Sequence, residues 1–243
     1  MKKMLAALAA VIMVAAAVVV RSGLDDKQTE AERVQVLCAR IIADACRQWQ
    51  ASGANVTVKE GDTSKPSADT IVIGPAVATG NLSTGDFDNS LTLVSSPLVI
   101  VSKRNAGLCP TGTLRCFVGL PGPLAVDKTP ELGDDVKRAL RSAADRSGDG
   151  DPDSMYDQVI GSGTEPTDGL TVGKIQNVGI PQAALLPEFR VGPAAKLVAT
   201  PLKPPASVSI VGFVRSDAPA DAKRLLSDGR LTGALVAERW KKP

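Results

Sequence analysis

The chain has 243 residues, with 28 Lys and Arg against 26 Asp and Glu and no histidine, which excludes a His general base, a Ser-His-Asp or Cys-His nucleophile pair and any His-ligated metal. All three cations of the first 23 residues lie where no acid is present, so the remainder carries 25 cations against 26 acids, a net charge of −1. That leaves no basic field for a nucleic-acid backbone, and two Trp, one Tyr and four Phe are too few for base-stacking platforms.

Lys2 and Lys3 precede an unbroken apolar run over residues 4–20, closed by Arg21 and then Asp25 and Asp26. A charged start and an apolar core read as a secretory signal or a signal-anchor over 1–23. As a helix the run spans about 25 Å, against a hydrocarbon core of roughly 30 Å, a tolerable mismatch. The best cleavage site, Val20-Arg21-Ser22 before Gly23, is poor, which favours a retained anchor over a cleaved signal. No Cys follows the run, so lipoprotein anchoring is excluded. Residues 24–33 are polar, a stalk, and the positive-inside rule puts the remaining chain outside the cytoplasm.

Beyond the stalk, residues 34–37 alternate as a strand. Over 40–50, Ile41, Ile42, Ala45 and Trp49 form a helical stripe that Gly53 terminates. Residues 55–59 and 70–73 read as strands, and 91–94 and 97–101 as a pair of strands broken at Ser95-Ser96-Pro97. This order predicts an α/β fold with a largely parallel sheet. The Gly/Pro/Thr-rich stretch 109–122 reads as a tight loop and 124–126 as a short strand. Residues 133–144 read as a helix with Val136, Ala139, Leu140 and Ala143 on one face. Helices are expected over 170–178 and 182–186, strands over 197–199 and 208–214, and a closing helical pair over 220–226 and 231–240.

Four cysteines, Cys38, Cys46, Cys109 and Cys116, with no CxxC spacing, give no support to zinc or thioredoxin-like readings. In an oxidising compartment they imply two disulfides, and of three connectivities the local pairs Cys38–Cys46 and Cys109–Cys116 are favoured.

The element order, the segment Leu93-Val-Ser-Ser-Pro-Leu-Val-Ile-Val101, and Val208-Ser-Ile-Val-Gly-Phe-Val-Arg-Ser-Asp-Ala218 followed by Asp221-Ala-Lys-Arg-Leu-Leu-Ser-Asp-Gly229 together resemble the type II periplasmic solute-binding proteins of the molybdate and phosphate kind. The paired cysteines resemble an actinobacterial, secreted branch of that family. The resemblance implies a two-lobe α/β molecule, with 34–104 and 197–243 forming one lobe and 105–196 the other, preceded by the apolar helix. It implies capture of a small polar or anionic solute between lobes, without catalysis and without a cofactor, for a membrane importer or another envelope protein.

In such folds oxyanions sit at helix N-termini, with hydroxyls as further donors. By position the candidates are Thr63 and Ser64 after the second strand, Ser95 and Ser96 before Pro97, and Thr129 ahead of the 133–144 helix. Where the molybdate-like proteins carry Ser at the end of strand one, this chain has Cys38-Ala39, so an alternative is a degenerate relative serving as a membrane-tethered interaction or sensor module.

Other signals weigh less. Asp149-Gly-Asp151-Pro-Asp153 alternates like a calcium loop, but Ser154 and Ile160 stand where an EF-hand needs Gly and Glu, so a solvated loop is the simpler reading. Gly161-Ser-Gly163 lacks the third glycine of a dinucleotide fingerprint because Pro166 replaces it. Asp134-Asp135 at a helix start is explained by the helix dipole. Trp49 and Trp240 lie on apolar stripes and are expected in the core.

Overall fold

The computed structural model describes residues 33–66, 69–80, 82, 86–103, 108–121, 124–127, 129–148, 151–162, 183–191 and 197–243. The apolar run 4–20, most of the stalk and the helix expected over 170–178 lie outside them. Among the described residues no helix is long and apolar enough to cross a membrane.

Five strands make the first sheet: β1 (Val34–Ala39), β2 (Val56–Gly61), β3 (Ile71–Pro75), β4 (Phe87–Lys103) and β8 (Ser207–Arg215). Their order is β2-β1-β3-β8-β4. The second sheet joins β4 to β5 (Leu124–Val126), β6 (Ala183–Pro187) and β7 (Leu197–Pro201). The helices are α1 (Ala43–Ala51), α2 (Ala76–Thr79), α3 (Leu114–Val118), α4 (Gly133–Asp145), α5 (Pro152–Ser162), α6 (Ala220–Ser227) and α7 (Arg230–Ala237).

Strand β4 joins the two sheets. Its first part pairs antiparallel with β8 through Pro97, and from Leu98 onward it pairs with β6 on one edge and β7 on the other. The return passes Leu202–Ala206 into β8, and the crossing is fastened by Leu98 N–H donating to Ala206 O at 2.7 Å and Leu202 N–H to Leu98 O at 3.0 Å. The break expected at Ser95-Ser96-Pro97 is therefore not a break: Pro97 is where the strand exchanges partners, a point at which a missing N–H is tolerated. The sheet is also mixed rather than largely parallel. Among the described strands β1–β2, β1–β3 and β5–β6 run parallel, while β3–β8 and the pairings of β4 with β6, β7 and β8 are antiparallel.

Period-two alternation distributes the strand side chains between opposite faces. Val36 and Cys38, Ile71 and Ile73, Leu98 and Ile100, Leu124 and Val126, and Ala183 and Leu185 all enter one continuous core. Their neighbours Leu37 and Val72 form a smaller cluster with Phe87, Val211 and Phe213 behind the first sheet. Val99, Val101, Ala125, Ala184 and Leu186 do the same behind the second. Burial on both faces explains the near-continuous apolar strand sequences. The main core is roofed by helices: α4 contributes Val136, Ala139, Leu140 and Ala143, and Trp49 and Trp240 are 1% and 2% exposed, as expected.

Three further readings change. Residues 183–187 form strand β6, not a helix, because this short, fully buried run pairs with both β4 and β5. Within 109–122 the loop contains α3, whose N-cap Thr113 accepts the Cys116 N–H. Residues 152–162 form α5, a helix the sequence reading did not assign, which begins inside the Asp149–Asp153 stretch expected as a solvated loop; Asp151 accepts the Asp153 N–H at its start. Both local disulfides are formed, Cys38–Cys46 and Cys109–Cys116. The first ties the end of β1 to α1 across the 3-10 turn Arg40–Ile42.

Candidate functional site

Two contact regions flank the β4–β8 crossing, and they differ in kind. One is a cavity of about 380 Å³ lined by Ala76, Val77, Asp135, Arg138, Ala139, Ser142, Arg146 and the segment Pro205–Ser207. Helix α4 presents Asp135, Ala139 and Ser142 to it at four- and three-residue steps, the spacing of one helical face, and its C-cap Arg146 follows four residues on; Arg138, Ser142 and Arg146 are exposed, Asp135 buried. The opposite wall is the start of α2, placed there by the C-terminal end of β3, and the strand crossing itself.

Asp135 is 5% exposed, and its Oδ1 accepts the Val77 N–H at 2.9 Å across 58 residues of chain. It therefore does more than complement its own helix dipole: it satisfies an otherwise orphan donor at the start of α2. Burial pushes its carboxyl pKa up to about 6; the Val77 N–H, Arg138 and the Ala76 N–H pull it down, and Asp134 adds to the rise. Arg146 is held by hydrogen bonds from Nε to Ser142 O at 3.0 Å and from Nη2 to Pro205 O at 2.6 Å. Arg138 forms no ion pair among the described residues, whereas Lys137 pairs with Asp134, and Arg141 with Asp145 and Asp153. A cavity with two guanidinium groups, one buried carboxylate and two serine hydroxyls can hold a small polar molecule; the arginines are donors only, so they select acceptors.

The second region is packed. The 3-10 turn Glu188–Arg190 follows β6, and Phe189 stacks on Trp240 with ring centroids 4.2 Å apart and planes 18° from parallel. Arg190 Cζ lies 5.4 Å from the Phe189 ring centroid. Its Nε is 2.7 Å from Asp127 Oδ2, a close ion pair although the N–H is not aimed at that oxygen. Lys241 pairs with Glu188.

The five hydroxyls singled out in the sequence do not converge. Thr63 is buried against Gly74 of β3, where a Cβ would stand 2.6 Å from Thr63 Oγ1, so only glycine leaves room. Ser64 is exposed and donates through N–H and Oγ to Asp62, holding that carboxyl below its ordinary range. Ser95 exchanges backbone hydrogen bonds with Lys241. Ser96 Oγ accepts the Phe189 N–H at 3.1 Å. Thr129 Oγ1 donates to Asp127 at 2.8 Å and accepts from Arg190 at 3.1 Å. None of the five lines the cavity. Sequence reasoning sees in Asp135 only a helix cap and passes over Arg138, Ser142 and Arg146. The available signal is a carboxylate four residues before Ala139, beside the apolar stripe of α4. Of the calcium-like carboxylates, Asp149 lies outside the described residues, Asp151 caps α5 and Asp153 pairs with Arg141.

Comparison with known proteins adds the fold's relationships. No protein-family model matches the sequence, and no curated protein matches it. Among solved structures, it is similar to a periplasmic thiamin binding protein, with a TM-score of 0.63 at 13% identity over 86% of this chain and 82% of that one. It is similar to Trichodesmium IdiA (FutA) in complex with iron and citrate, with a TM-score of 0.62 at 12% identity over 86% of each chain. Peb3 from Campylobacter jejuni aligns with a TM-score of 0.57 at 12% identity, covering 86% of this chain and all of the other. The molecule thus has a mixed α/β, type II periplasmic-binding-like fold, with both of its cysteine pairs joined.

Proposed function

We propose that the chain is a non-catalytic solute-binding protein that captures a small polar or anionic solute in the cavity between α2, α4 and the β4–β8 crossing. The observation that carries this reading is the cavity itself, about 380 Å³ with Arg138, Arg146 and buried Asp135 in its walls. Its volume is that of a small-ligand site. The structural neighbours support it: one is a thiamin binding protein, one is in complex with iron and citrate, and PEB3 is known with L-phospholactate bound. On this reading the lobes are 34–104 with 197–243, and 105–196, and the solute passes to a membrane importer or another envelope protein. The two disulfides favour an oxidising, extracytoplasmic compartment, with residues 4–20 as tether or signal.

A second reading, a tethered interaction module without a small ligand, draws on the hydroxyls of Ser96 and Thr129 being already engaged. Thermal unfolding against oxyanions, sugars, amino acids and Ca²⁺ separates the two. A ligand at 100 times its Kd adds about 2.7 kcal/mol, on the order of 5–10 °C in Tm for a domain this size. A shift with one class supports capture; a flat panel with a cooperative transition supports the interaction module.

A further inference from the structure

We propose that the Cys109–Cys116 disulfide is a reversible redox clasp on the chain segment that returns from β7 and forms one wall of the α4 cavity, whereas Cys38–Cys46 is a permanent structural bridge. Neither bond takes part in the solute-binding reading, so the clasp and solute capture stand or fall separately.

The two bridges differ in burial. Cys38 and Cys46 are both 0% exposed, inside the main core between β1 and α1. Cys109 is 2% exposed, but Cys116 is half-buried, so an incoming thiolate reaches Cys116 first. Cys109 also has φ +65°, in the left-handed region that is costly for a residue with a side chain. Opening the bridge lets Cys109 leave that conformation, which favours reduction of this bond.

The bridge holds the strand crossing in place. The loop it closes carries Gly112, whose N–H donates to Cys109 O at 3.1 Å and whose O accepts the Lys203 N–H at 2.8 Å. Thr113 and Lys203 form a parallel bridge at the same point. Gly112 has φ +71°, and a Cβ there would stand 2.3 Å from Pro201 O, so loop and return segment are in close contact. Just beyond Lys203, Pro205 begins the cavity wall Pro205–Ser207, and its O accepts from Arg146. A restraint on Lys203 therefore passes to the cavity through Pro204 and Pro205, whose φ angles are fixed by their rings. Helix α3 has other anchors: Leu114 and Phe117 are buried in the main core, and Thr113 caps it. Reduction thus frees the loop and leaves the fold.

The chemistry is thiol–disulfide exchange with a dithiol. One thiolate attacks Cys116 Sγ, the bond to Cys109 breaks, and Cys109 leaves as a thiolate that takes up a proton. The second thiolate attacks the mixed disulfide and releases Cys116 as a thiol; the dithiol gives up two electrons and ends as a cyclic disulfide.

The test treats the full chain with dithiothreitol, locates the freed thiols by alkylation and mass spectrometry, and follows amide hydrogen exchange in the same samples. Cys109 and Cys116 are expected to label about tenfold faster than Cys38 and Cys46, or more. With that bridge open, the Gly112 and Lys203 amides are expected to exchange about tenfold faster, the Ala206 and Ser207 resonances to shift, and reoxidation to restore both. The double variant Cys109→Ser, Cys116→Ser is expected to show the same exchange pattern without reductant. Equal labelling of the two bridges, or Cys38–Cys46 opening first, overturns the assignment. So does unchanged exchange at Lys203 with both thiols labelled. Loss of protection throughout the chain on reduction, and in the double variant, overturns it too, because the bond is then a structural staple.

Discussion

The two regions beside the strand crossing are built from similar side chains and end in opposite states. At the Glu188–Arg190 turn the carboxylate of Asp127 has a guanidinium against it, a threonine hydroxyl on it and aromatic rings beside it. At the α4 cavity the carboxylate of Asp135 takes backbone N–H groups of Val77 and Ala76 but no paired guanidinium, and it lines the cavity. At the packed side charge and aromatic contact hold the elements together, although Arg190 Nε and Asp127 Oδ2 meet as an ion pair and not as an aimed hydrogen bond. A carboxylate that burial holds above its ordinary range, despite two backbone donors, costs stability at neutral pH, and such a cost is characteristic of functional positions.

The contrast can be broken most forcefully at the packed side. Trp240→Ala removes the ring stacked on Phe189 and leaves a large void in the core; a loss of about 3–5 kcal/mol by denaturant unfolding is expected. Arg190→Ala leaves Asp127, 2% exposed, without its cation. Breaking a buried pair costs about 3–5 kcal/mol, but Arg190 is one-fifth exposed, so roughly 2–3 kcal/mol is expected, again by denaturant unfolding.

At the cavity the sign reverses. The Asp135 pKa is higher folded than unfolded, so its contribution to stability is fully present below about 3.8 and is lost as pH rises through about 6. Asp135→Asn is therefore expected to stabilise the protein by roughly 1–2 kcal/mol at pH 7.5, after discounting for solvent screening, and to have little effect near pH 4. Chemical denaturation at the two pH values checks it; equal effects at both would contradict the cost assigned to this carboxylate. The smallest effect is at Ser96→Ala, which strips one acceptor from the Phe189 N–H. About 1 kcal/mol is expected, with solute affinity unchanged because Ser96 does not line the cavity.

Most strands were legible because burial on both faces writes them as apolar runs, as at 71–73, although β3 runs on through Gly74 and Pro75, expected to stop it, to pair with β8. The failures have local causes. Ala-Ala-Leu-Leu at 183–186 is made of helix-forming residues, and only pairing with β4 and β5 makes it a strand. Ser95-Ser96-Pro97 looks like a turn, because nothing local reveals that the strand changes partners there. The cavity was less legible still. Its hydrogen bond from Val77 to Asp135 joins residues 58 apart, and hydroxyl-bearing segments draw attention away from arginines on a helix face. Cys38 and Cys46 were the exception, since an eight-residue separation can be closed locally.

A larger hollow, about 600 Å³, lies elsewhere, lined by Arg33, Arg47, Gln50, Gly53, Asn55 and Val58. Arg47 there is already paired with Asp44 and Glu60, while Arg33 lines the same hollow. The most direct test of solute capture at the α4 cavity is therefore a backbone-amide NMR titration with whichever solute raises Tm. Perturbations are expected to concentrate at Val77, Asp135, Arg138, Ala139, Ala206 and Ser207. Perturbations concentrated at Arg47, Gly53 and Asn55 instead would place the solute in the other hollow and contradict capture at α4.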